Sequence, residues 1–188
     1  MTREFSIDFS AVYLLHGTGG SPNGSVLQLE TELRACAPNQ LYVRPPMPHS
    51  DPTAAPSISV SHLSELGIPH GALIIGISLG GLVAAKLQEE DRPDLHVICI
   101  NSPTRAGDVV LKHQKIHRVS LYCSGDEVIA GRTEKWPQLA EAYDLPWLTH
   151  DTDSHKVTLA KILSEYIIRR CVPPELRMTT DMKPLEEQ

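Results

Sequence analysis

The chain has no apolar stretch that approaches a membrane span. Its first ten residues, MTREFSIDFS, carry Arg3 and Glu4 where a signal peptide needs an apolar core. The expectation is a soluble, cytoplasmic protein with no membrane partner. There is also no Lys/Arg stripe. With 17 basic against 23 acidic residues the formal net charge is −6, so the surface repels phosphate backbones and nucleic acid is not an expected partner. Cysteine is scarce: Cys36, Cys99, Cys123 and Cys171 lie far apart with no CxxC pair, which excludes a disulfide scaffold and leaves buried, inert thiols as the expectation. Neither GxxxxGK[ST] nor GxGxxG occurs, so the glycine-rich segments do not read as phosphate-gripping loops. No metal constellation, internal repeat or dividing linker is present, and no cofactor or metal is expected.

What remains is ordinary globular material. Hydrophobic residues make up 41% and charged residues 21% of 188, enough to bury one core, so a single domain is the default. Short runs rich in Val, Ile, Leu and Tyr recur at 11–16, 40–44, 72–77, 96–101, 118–124 and 147–150. They have the near-continuous apolar character of parallel strands buried on both faces. Between them, 26–36, 58–67, 79–90, 133–144 and 155–170 have helical period or composition. Alternation of this kind predicts an α/β fold: a mostly parallel sheet of about six strands with helices on both faces, whose ligands bind at the carboxyl ends of the strands. RPPMPHSDPTAAP (44–56) reads as a stiff loop bordering that site. The domain is expected over 1–171, followed by a proline-led tail over 172–188 to which no activity is assigned.

The stretch GALIIGISLGGLVAAKLQEE (71–90) runs from a strand into a helix through Gly-Ile-Ser-Leu-Gly. A nucleophilic serine must stand clear of the sheet at a helix N-terminus, in a turn too tight for neighbouring side chains. Gly76 and Gly80 on either side of Ser78 meet that demand, and the GxSxG spacing sits in the strand–turn–helix context that gives it meaning.

A second glycine-rich stretch, LLHGTGGSP (14–22), also follows an apolar strand. The pairing of HGTGG with the later GISLGG resembles the α/β-hydrolase superfamily, of the small serine-esterase type without a lid. In that family two backbone N–H groups form the oxyanion hole. The resemblance implies those of Leu79 and Thr18, with Gly19 as a substitute for Thr18. His16 would brace the loop or border the substrate. The triad order of serine, acid, histidine places the acid at Asp126 in LYCSGDEVIA, ahead of the apolar pair Val128 and Ile129. The family's usual proline after that pair is Ala130 here. Glu127 is the nearest rival, and Asp108 stands where some hydrolases take their acid. The base is expected at His155, in the loop before the last helix. His150 is read as a strand end pointing into packing, and Asp151 and Asp153 as too close to the base, with Asp153 or Ser154 a helix cap.

About sixteen residues separate the strands at 96–101 and 118–124, too few for the cap domain that larger relatives insert there. The implied function is hydrolysis of small carboxylic esters through an acyl-enzyme on Ser78, in an open cleft lined by Met47, Val128 and Ile129. Thioester hydrolysis or acyl transfer by the same triad, and a catalytically silent binding protein, are the alternatives.

Overall fold

The computed structural model describes residues 9–176. The apolar runs become β1 (Val12–Leu15), β2 (Tyr42–Val43), β3 (Leu73–Ile77) and β4 (His96–Ile100). A small antiparallel pair follows, β5 (Arg105–Ala106) with β6 (Val109–Val110), and then β7 (Arg118–Tyr122) and β8 (Glu141–Asp144). Six of these form one sheet in the order β2-β1-β3-β4-β7-β8, and every neighbouring pair is parallel. The chain steps outward from β1 to β2 and then crosses back to β3. The strand order therefore reverses between β1 and β3, where an open α/β sheet places its ligand crevice.

Residue alternation along the strands sorts the core into two layers. Leu14, Ile75, Ile98 and Val119 face one layer with α1 (Ser25–Cys36) and α5 (Lys156–Arg169), whose Leu29, Leu33, Leu159 and Leu163 are buried against them. Tyr13, Leu15, Ile74, Val97 and Cys99 face the other with α2 (Pro56–Glu65), α3 (Leu79–Glu90) and α4 (Trp136–Leu139). The strand period of two thus delivers apolar surface to both faces, as a doubly covered sheet requires. Truncating a fully buried leucine in either layer costs about 2–5 kcal/mol. Val172, where the tail was expected to begin, is buried in the first layer, while residues 177–188 lie outside the described range. No helix among the described residues is long and apolar enough to cross a membrane.

Three expectations need correction. The helix expected over 133–144 is only the short α4, and the strand expected at 147–150 is loop. After α4 the backbone extends at Ala140, and Glu141–Asp144 pairs with the open edge of β7 from Val119 to Tyr122. Pro146, with no N–H to give, cannot continue the ladder. Only Cys99 among the cysteines is buried, its thiol pushed up to about 12 by desolvation, whereas Cys36 is exposed and Cys123 and Cys171 are partly exposed. Finally, the segment between β4 and β7 is too short for a cap, as expected, yet it is not featureless: the β5–β6 hairpin fastens to the start of α2. Asp108 accepts from the Ser57 N–H at 3.2 Å and from the Ser57 hydroxyl.

Candidate active site

Ser78 stands between β3 and α3 with φ 52° and ψ −122°, a sparsely populated conformation that costs on the order of 1–3 kcal/mol. The surroundings enforce it. A Cβ on Gly76 would collide with the backbone of Gly80 and Gly81, and one on Gly80 would lie 2.5 Å from the His16 carbonyl oxygen and 2.7 Å from that of Leu15. Strand β3, helix α3 and the end of β1 therefore meet backbone to backbone. The Ser78 N–H donates to the Ile100 oxygen at 2.9 Å, and the side chain is left half-exposed at the start of α3.

The loop after β1 lies directly over this turn. Its shape is held by two buried histidines whose tautomers follow from their partners. His49 Nε2 faces the His16 carbonyl oxygen at 2.8 Å and must carry the proton, so Nδ1 accepts from the Ser59 hydroxyl at 2.9 Å. Burial depresses the His49 imidazole to about 4 and keeps it neutral. His16 Nδ1 donates to the Gly17 oxygen at 2.8 Å, and the Ser50 hydroxyl lies 3.3 Å from His16 Nε2. The Gly19 N–H donates to the His49 oxygen at 2.9 Å, which removes Gly19 as a second oxyanion donor. Among the described residues the N–H groups of Thr18 and Leu79 have no protein acceptor, and both residues line the cleft beside Ser78. Leu79 is the first residue of α3, where an N–H has no preceding helical carbonyl.

On the other side of Ser78 the expected pairing of Asp126 with His155 is not what the fold brings together. Asp126 is buried at the end of the loop after β7. Its Oδ1 accepts from the Val128 N–H at 2.9 Å, and its Oδ2 lies 2.7 Å from Nδ1 of His150. A carboxylate at that distance holds the proton on Nδ1 and leaves the Nε2 lone pair available. His150 opens on the cleft that Ser78 also lines. His155 does not line it: its Nε2 is 2.9 Å from the Thr149 hydroxyl and accepts weakly from the Thr149 N–H at 3.4 Å, with its ring against Trp147. The reason is the misplaced strand. Because β8 ends at Asp144, residues 145–150 are free to carry His150 out of the sheet and over to Asp126.

The cleft has a volume of about 690 Å³. Its apolar wall includes Ile77, Pro103, Ala106, Val128 and Ile129. The loop 44–56 contributes Asp51, Pro52 and Ala54, so it borders the cleft. Met47 does not line it but is buried in the core, and His16 is buried in the loop scaffold, so neither stands where it was expected to meet substrate. Glu127 is exposed in the turn after Asp126, and Asp108 is committed to Ser57. Asp151 caps the short turn leading into α5, accepting from the Asp153 N–H. Sequence reading passed over His49, Arg132 and Asn101, and set His150 aside as a strand end. Arg132 lines the cleft and donates to the Val128 oxygen. No local motif marks any of the four.

A wholly parallel six-stranded sheet, a strand–serine–helix elbow and a cleft at the strand ends without a cap constitute the α/β-hydrolase fold in its lidless form. Similar solved structures include an α/β-hydrolase enzyme from the metagenome of lagoon sediments at Mar Chica, Morocco. Its TM-score is 0.67 at 14% identity, with 87% of this chain and 92% of that one covered. Mouse alpha/beta hydrolase domain-containing protein 10 has a TM-score of 0.64 at 12% identity, covering 86% and 91%. A serine hydrolase without lid from Xanthomonas campestris has a TM-score of 0.57 at 16% identity, covering 89% and 86%. The likeness at these identities is one of fold. Comparison with protein-family models and with curated proteins finds no match.

Proposed function

We propose that the protein is a cytoplasmic serine hydrolase that cleaves small carboxylic esters through an acyl-enzyme on Ser78. His150 acts as base, Asp126 orients it, and the N–H groups of Thr18 and Leu79 form the oxyanion hole. His155, the base expected from sequence, instead braces Thr149. The observation that carries the reading is the 2.7 Å contact between Asp126 Oδ2 and His150 Nδ1, in a loop that turns His150 toward the cleft of Ser78.

The chemistry follows from the tautomer. His150 Nε2 takes the Ser78 hydroxyl proton as Oγ bonds to the ester carbonyl carbon, and the carbonyl π electrons move to oxygen. That oxyanion receives the two N–H groups, each worth about 3 kcal/mol of barrier in a well-studied serine enzyme. The C–O bond to the leaving group then breaks as Nε2 returns its proton to the departing alkoxide. Water then loses a proton to Nε2 as its oxygen bonds to the acyl carbon, and the bond from that carbon to Ser78 Oγ breaks as Nε2 returns the proton to Oγ, which releases the acid and restores Ser78 and His150. Asp126 keeps the imidazole oriented through Nδ1 and stabilises the transient imidazolium without taking its proton.

A fluorophosphonate probe and a panel of short-chain aryl esters and acyl thioesters test this. Labelling at Ser78, ester turnover by the wild type, and loss of turnover on the order of 10⁶-fold in Ser78→Ala are expected. Labelling elsewhere, or equal turnover in a folded Ser78→Ala chain, overturns it. Preference for thioesters would keep the triad and move the substrate class.

A further inference from the structure

The end of β4 touches all three arms of the site. The Ile100 oxygen accepts the Ser78 N–H at 2.9 Å. The next residue, Asn101, is fully buried and its backbone turns to φ 42°, a conformation that asparagine tolerates better than most residues with a side chain. Its side-chain amide reaches both remaining loops. Oδ1 accepts the Cys123 N–H at 3.0 Å, while Nδ2 donates to the Thr149 oxygen at 2.7 Å and to the Leu148 oxygen at 3.2 Å. Cys123 opens the turn that carries Asp126, closed by the Asp126 N–H on the Cys123 oxygen at 3.1 Å. Thr149 directly precedes His150.

The chemistry of the partners fixes the amide's orientation. Two carbonyl oxygens require the NH₂ end and one N–H requires the oxygen, so a flipped amide would lose all three bonds. Each partner also lies remote in sequence, so these bonds set the relation of two loops to each other and do not stabilise a local turn.

We infer that Asn101 is the positioning residue that holds the acid loop and the base loop in register over the Ser78 elbow. The inference rests on the hydrolase reading above. The buried amide touches no substrate and acts through the Asp126–His150 pair. A displacement of about 1 Å in such a pair is enough to cost on the order of a hundredfold in rate.

Asn101→Gly is the informative substitution, because glycine accepts the positive φ and deletes only the amide. Asn101→Asp keeps an acceptor for the Cys123 N–H but sets a carboxylate oxygen against two carbonyls. Both variants are expected to lower kcat by about a hundredfold with little change in KM. The wild type is expected to show a downfield proton resonance from the Asp126–His150 hydrogen bond, and that resonance should disappear in both variants. Wild-type kcat and an unshifted resonance in Asn101→Gly, with only a lowered Tm, would reduce the residue to a structural one and overturn the inference. Full activity in Asn101→Asp would do the same. If the wild type proves inactive toward every ester and thioester, the hydrolase reading fails while the resonance still reports whether Asn101 sets the pair.

Discussion

His150 and His155 share one loop, and a rule of chain order fits either of them equally. What separates them is a single long-range contact, because only His150 meets the Asp126 carboxylate, while Nε2 of His155 is spent on Thr149. Replacing His150 by glutamine should cost on the order of 10⁶ in kcat, as loss of the base does in well-studied serine enzymes. His155→Gln keeps an acceptor near Thr149 and should leave kcat close to wild type. Steady-state kinetics on the two variants decide between them, and the reverse outcome would restore His155 as base. The elbow at Ser78 was legible in the sequence because its requirements are local: a turn, two flanking glycines and a helix start lie within a few residues. The place of Asp126 after a strand was legible as well. His150 was not, since its partner is brought to it only by tertiary folding, and the same holds for His49, whose ring bonds reach Ser59 and the His16 carbonyl.

At the scale of elements, β1, β3, β4 and β7 were readable because central parallel strands are apolar on both faces and stand out as continuous runs. β8 was hidden because it is an edge strand with only Tyr143 of its four residues buried, so Glu141–Asp144 carries no strong pattern. The apolar WLTH run attracted the strand assignment instead, although only Leu148 of it is buried. The junction of β1, β3 and α3 gives an element-scale prediction. Gly80→Ala forces a Cβ against the carbonyls of Leu15 and His16, so α3 must move off the sheet and carry the Ser78 elbow with it. Thermal or urea unfolding should show a loss of about 1–3 kcal/mol, accompanied by slower fluorophosphonate labelling of Ser78. A variant with wild-type stability and labelling would show that the junction is looser than its backbone contacts indicate.

For the molecule as a whole, the neutral imidazole of His49 ties stability to pH. In the unfolded chain it gains a proton near 6.5, whereas in the folded chain burial holds it unprotonated down to about 4. The unfolded state therefore binds more protons between these values. The stabilisation is fully present above pH 6.5, is lost as pH falls toward 4, and amounts to about 3 kcal/mol across that window. His96, lowered to about 4 first by desolvation and then by the charges of His117 and Arg170, adds to the slope in the same range. Urea midpoints at pH 7.5, 6 and 5 should fall in that order, and His49→Gln should flatten part of the decline. An identical slope in the variant would remove His49 from the account. The first turn of α2 joins the two sides of the cleft: Ser57 grips the β5–β6 hairpin through Asp108, and Ser59 grips His49 beneath the Gly19 loop. One helical turn thus anchors both rims of the cleft that Ser78 lines, so a change in α2 would be felt on its two sides at once.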